Sequence, residues 1–98
     1  MCGAKTGGPS LEGVDLRTQA VIQGVVLSDE APVSGAYVRL LDQGGEFTAE
    51  VPTSATGQFR FFGASGRWTV RALAPGLAPA ERQVVAAIGE VVEVTLTL

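Results

Sequence analysis

The sequence predicts an all-β domain, an antiparallel Greek-key sandwich of about seven strands preceded by a flexible arm. Three observations carry this. From Ala20 onward, short apolar segments are punctuated by turn residues roughly every 8 to 12 positions. Within those segments apolar side chains recur at every second residue, the period of a strand with one buried face. No stretch of useful length shows the 3.6-residue period of a helix. The chain has 98 residues with 13 Gly and 5 Pro, which suits one domain with many turns. Seven short antiparallel strands in so small a domain favour a sandwich, and a small closed barrel is the competing arrangement.

Residues 1–13 are Gly-rich, contain Pro9 and Ser10, and carry no apolar period; they read as a flexible, disordered arm, with the sandwich domain over residues 14–98. The first clear strand is Ala20–Leu27. Ser28 to Gly35, with Pro32, turns the chain into Ala36–Leu41. There Ala36, Val38 and Leu40 share one face, and Tyr37, Arg39 and Leu41 the other. Asp42-Gln43-Gly44-Gly45-Glu46 is a strong turn signal, followed by a short strand over Phe47–Val51. Thr56-Gly57 opens the next strand, Gln58–Phe62, which sends Phe59 and Phe61 inward. Arg67–Leu73 alternates again, with Trp68, Val70 and Ala72 against Arg67, Thr69, Arg71 and Leu73. Glu81–Val85 reads as an edge strand between Pro-rich and Gly-containing loops, and Val91–Leu98 closes the domain. The expected core is Ile22, Val26, Val38, Leu40, Phe59, Phe61, Trp68, Val70, Val92, Val94 and Leu96.

Composition excludes several classes of function. The net charge of −3 argues against a nucleic-acid partner, which calls for a basic face. Without any His there is no Ser-His-Asp triad, no Cys-His dyad and no imidazole metal site. The carboxylates Asp42, Glu46, Glu50, Glu81, Glu90 and Glu93 show no Asp-x-Asp-type cluster, and a hard cation needs about six converging oxygens. They read as solvated turn and outer-face residues, so no catalytic residue, metal site or cofactor is expected. No run approaches 18 consecutive apolar residues, the N-terminus lacks the apolar core of a signal peptide, and one cysteine cannot form an internal disulfide. The expected compartment is the cytoplasm, with no membrane partner.

Two resemblances sharpen this. Ile22-x-Gly24-x-Val26, Pro32 to Leu40, Thr56-Gly57-Gln58-Phe59-Arg60-Phe61, Gly66 to Val70, and Gly89-Glu90 before a Val-x-Val-x-Leu strand together resemble the carboxypeptidase-regulatory-like, transthyretin-like sandwich. More narrowly, Met1-Cys2, Val14-Asp15-Leu16, Phe47 to Val51, Ser54 to Phe62 and Trp68-Thr69-x-Arg71-Ala72-Leu73 resemble the small actinobacterial SseC-like family. That family is uncharacterised and often found beside thiosulfate sulfurtransferases. The resemblance therefore implies an accessory role in sulfur metabolism with such an enzyme as partner. Two activities of similar sandwiches are excluded. A Lys-Asn isopeptide bond needs an Asn that this chain lacks, and purine-pathway hydrolases need His.

Cys2 is the only soft nucleophile and the candidate sulfur carrier. If Met1 is removed, the new α-amine beside the thiol favours the thiolate, the form that attacks sulfur. The plain alternative is an incidental cysteine on a tail. Tyr37, Phe47 and Phe62 fall on outward phases or beside loops, where aromatics bind sugar or peptide, seal a dimer, or simply pack. Arg39, Arg60 and Arg71 also point outward and form a basic docking stripe if their strands are neighbours; pairing with Glu50 or Glu93 is the alternative. A homodimer through a sheet edge is expected, with Tyr37, Leu41 and Leu73 near the contact.

Overall fold

The computed structural model describes the backbone of residues 3–6 and all of residues 18–98. Among the described residues nine strands make two layers: β1 Gly3–Thr6, β2 Ala20–Ser28, β3 Ala31–Pro32, β4 Tyr37–Leu41, β5 Phe47–Pro52, β6 Gln58–Gly63, β7 Gly66–Leu73, β8 Ala80–Ala86 and β9 Val91–Thr97. Seven have five or more residues, which matches the strand number expected from the turn spacing. The front sheet runs β5-β4-β7-β8. The back sheet runs β1-β6-β2, with β9 along the other side of β2 and the two-residue β3 paired to the end of β2. At one side of the sandwich β1 lies against β5, and at the other β8 lies against β9.

Every pair is antiparallel except β2 with β9, which run parallel from Val21↔Val91 to Leu27↔Thr97. Local alternation cannot reveal this direction, because parallel and antiparallel neighbours put the same side chains inward. The core forms where the inner faces meet. Ile22 and Val26 from β2, Phe59 and Phe61 from β6, and Val94 and Leu96 from β9 pack against Val38, Leu40 and Val70 of the front sheet. Phe59 and Phe61 sit with ring centroids 6.0 Å apart and planes tilted by 57°, a favourable aromatic arrangement.

Gly24 lies in the middle of β2 for a steric reason. A Cβ there would stand 1.7 Å from the carbonyl oxygen of Val94 and 3.0 Å from the Phe59 ring. The absent side chain lets β9 and Phe59 close over the strand. Gly57 occupies the left-handed region at φ 74°, and its carbonyl accepts from Val26 N at 2.8 Å. Thr53 is a buried hydroxyl that ties two loops together. It donates to the Val33 carbonyl at 2.7 Å and accepts from Ala36 N at 2.9 Å.

Four expectations change. Gly3–Thr6, read as part of a flexible arm, is a strand antiparallel to β6 from Gly3↔Phe62 to Thr6↔Phe59. Its reason for pairing is backbone hydrogen bonding to β6, which needs no alternating side chains and so leaves no periodic signal. The remainder of the proposed arm lies outside the described residues. Trp68 is half-buried instead of enclosed: it packs on the core while its indole N–H reaches the Ala64 carbonyl at 3.1 Å. Val92 likewise packs from the core's margin. Leu41, on an outward phase by strict alternation, is buried beside a register shift between Leu40 and Leu41.

Candidate functional site

The candidate residues fall on two different outer faces. On the front sheet, strand register puts Glu50, Arg39, Arg71 and Glu81 in one row across β5, β4, β7 and β8. Arg39 and Arg71 are direct neighbours, an arrangement that costs energy unless each charge is answered. Each is answered from its far side: Arg39 Nε meets Glu50 Oε2 at 2.6 Å, and Arg71 Nη2 meets Glu81 Oε2 at 2.8 Å. The row is thus neutral, − + + −, and its side chains remain between about a third and a half exposed. Tyr37 is exposed next to this row, opposite Leu73 on β7. Phe47 is 63% exposed at the other end of β5.

Arg60 and Phe62 belong to β6 and so to the outer face of the back sheet. The expected stripe of three arginines therefore does not form. Its sequence logic was sound for each strand, but β6 lies in the opposite layer from β4 and β7. Arg60 is only 3% exposed. Its Nε donates to Gln23 Oε1 at 2.8 Å, and Gln23 Nε2 donates to Glu93 Oε1 at 3.0 Å. Gln23, at 8% exposure, is the relay in a row that crosses β6, β2 and β9. Phe62 is partly buried opposite Val21, which is fully enclosed. With Phe62 on one outer face and Tyr37 on the other, the two aromatics cannot form a common sugar-binding platform.

Gln23 and Thr53 were missed by the sequence reading. A lone Gln within an apolar strand, matched by a lone Arg between phenylalanines, was the available signal for the first. Thr53 left none, since its role depends on two loops meeting. Beside β7 and β8 there is a half-open hollow of about 410 Å³ lined by Arg67, Trp68, Thr69, Gln83, Val84 and Val85 with Gln43. Among the described residues, no three His, Cys, Asp or Glu side chains are placed to hold a metal ion. No helix there is long and apolar enough to cross a membrane. Cys2 lies outside the described residues, one position before β1 begins.

Fold and surface define a small β-sandwich that carries two exposed ion pairs on its front sheet and a hydrogen-bonded Arg60–Gln23–Glu93 row on its back sheet. The chain belongs to the DUF1416 family, described as proteins of unknown function, whose model matches residues 2–98. Relatives include the uncharacterised protein Rv0814c of Mycobacterium tuberculosis, 57% identical over 75 residues that cover 74% of this chain and 75% of that protein. An uncharacterised protein of Mycolicibacterium smegmatis is 61% identical over 62 residues, covering 62% of this chain and 69% of its own length. Among solved structures, the major pilin subunit of Bacillus cereus matches with a TM-score of 0.69 at 18% identity, over 82% of this chain and 28% of the pilin. A dioxygenase domain from Streptomyces sp. SirexAA-E matches with a TM-score of 0.63 at 16% identity, over 95% of this chain and 88% of that domain. At such identities these likenesses show the sandwich fold alone.

Proposed function

We propose that this protein is a non-enzymatic binding module that serves sulfur metabolism in the cytoplasm, docking a thiosulfate sulfurtransferase and taking sulfane sulfur onto Cys2. The observation that supports a binding role is the engagement of the candidate arginines. Arg39 and Arg71 hold carboxylates and Arg60 holds an amide, so these side chains shape and stabilise a surface. The sulfur assignment rests on the SseC-like resemblance and on the chemistry of the thiol. The Cys2 thiolate attacks the terminal sulfur of a cysteine persulfide on the transferase. A sulfur–sulfur bond forms on Cys2, the enzyme's own S–S bond breaks, and its cysteine leaves as thiolate; no outside oxidant is consumed.

The test is intact-protein mass spectrometry after incubation with thiosulfate and a thiosulfate sulfurtransferase. Wild type should gain about 32 Da, one sulfur atom, and Cys2→Ser should gain nothing. Equal gain by both proteins, or gain by neither, removes the carrier assignment and leaves the plain interaction module.

A further inference from the structure

We propose that the hollow beside β7 and β8 is a binding site for a small hydroxylated carboxylate, the chemistry of a sugar acid. The proposal is separate from the docking reading and from any chemistry at Cys2. Strand register builds the site: Arg67 stands opposite Val85, and Thr69 opposite Gln83. Strand β4 ends at Leu41, which pairs with Thr69, so no residue of β4 flanks Arg67. On that side the β4–β5 turn lends Gln43 to the hollow's lining. The space of about 410 Å³ lies within the range of small-ligand clefts.

Uncommitted polar groups single this hollow out. Arg39 has Glu50 across the sheet and Arg71 has Glu81, but the cross-strand partner of Arg67 is Val85. Among the described residues, the side chains of Arg67, Gln43, Thr69 and Gln83 make no hydrogen bond or ion pair, and no carboxylate lines the hollow. Asp42, next to Gln43 in the chain, turns its Oδ1 to the amides of Gly44 and Glu46, each at 2.9 Å. A guanidinium with a free fork takes a carboxylate through two parallel hydrogen bonds. The two carboxamides and the hydroxyl both donate and accept, which matches the hydroxyls of a ligand. Trp68 contributes in another way. Its indole N–H is given to the Ala64 carbonyl, so it offers ring surface, and with Val84 and the exposed Val85 it meets the C–H face of a sugar-sized ring. A bare anion would use Arg67 alone, and a neutral sugar would leave it unanswered. A hydroxylated carboxylate engages both halves.

The chain has one tryptophan, so its emission reports on this hollow directly. The full chain is titrated with sodium glucuronate, sodium acetate and glucose at constant ionic strength. Glucuronate should change Trp68 emission saturably with a Kd of about 1 to 10 mM, and acetate and glucose should each bind at least about tenfold more weakly. Arg67→Gln should weaken glucuronate binding at least about tenfold. Arg82→Gln removes the same charge from an exposed β8 residue that does not line the hollow, and should bind as wild type does. Arg67 is exposed, so its substitution leaves the domain folded, which circular dichroism verifies. No saturable change up to about 100 mM glucuronate overturns the proposal. So does an Arg67→Gln variant that binds like wild type, or an acetate or glucose affinity equal to that for glucuronate.

Discussion

The two sheets carry rows of polar residues built on the same cross-strand geometry, yet they stand in opposite surroundings. On the front sheet the row Glu50, Arg39, Arg71 and Glu81 is solvated, with both ion pairs at the surface. On the back sheet Arg60 and Gln23 are buried, and hydrogen bonds pass from β6 to β9 through the Gln23 amide. Exposed ion pairs contribute about 0.2 to 1 kcal/mol, because water competes for both partners. A buried guanidinium has lost its water, so each hydrogen bond it keeps matters more, about 1.5 to 3 kcal/mol. The contrast teaches that strand register alone does not assign a role to a charged row. The back row holds structure together, and the front row stays solvated.

The largest effect separating the layers is expected in the core. Phe59 of the back sheet is fully enclosed, so Phe59→Ala should cost about 3 to 5 kcal/mol. Trp68 of the front sheet is half-buried, and Trp68→Ala should cost only about 2 kcal/mol despite the larger ring. Thermal melting in the reverse order would break the contrast. Next comes Gly24→Ala. Its Cβ would collide with the Val94 carbonyl, a backbone atom that cannot swing aside, so a loss of about 1 to 3 kcal/mol is expected in urea unfolding. An unchanged midpoint would show that β9 is not seated so closely.

A smaller effect concerns the hairpins. In the front sheet the β4–β5 turn places Gly45 at φ 83°, where glycine is unstrained. In the back sheet the two-residue β2–β3 turn holds Asp29 at φ 50° and Glu30 at φ 66°. This is the primed turn geometry that glycine suits. Glu30→Gly should therefore stabilise by about 0.5 to 1 kcal/mol, seen as a raised melting temperature; a lowered one would mean the turn is not strained.

How legible this was depended on the physical signal each feature leaves. The seven main strands were readable because Val38/Leu40, Phe59/Phe61 and Val94/Leu96 alternate, and turn residues separate them. Layer assignment was not readable. Arg39, Arg60 and Arg71 have the same outward phase, and only non-local pairing separates Arg60 from the other two. The parallel β2–β9 pair and the β1 strand were hidden for the same reason, since backbone partners leave no mark in local sequence. The Arg39–Glu50 pair, the alternative to a basic stripe, is what forms.

The account rests most heavily on the unequal worth of the two polar rows, and urea unfolding of two variants measures it directly. Arg60→Ala strips the back row of its guanidinium and leaves the Gln23 carbonyl oxygen without that donor, for an expected loss of about 2 to 4 kcal/mol. The double variant Arg39→Ala/Arg71→Ala dismantles both exposed pairs and should lose about 1 kcal/mol or less. A lower midpoint for Arg60→Ala than for the double variant is the result expected. A double variant that loses as much as Arg60→Ala, or more, would contradict the division into a structural back face and an open front face.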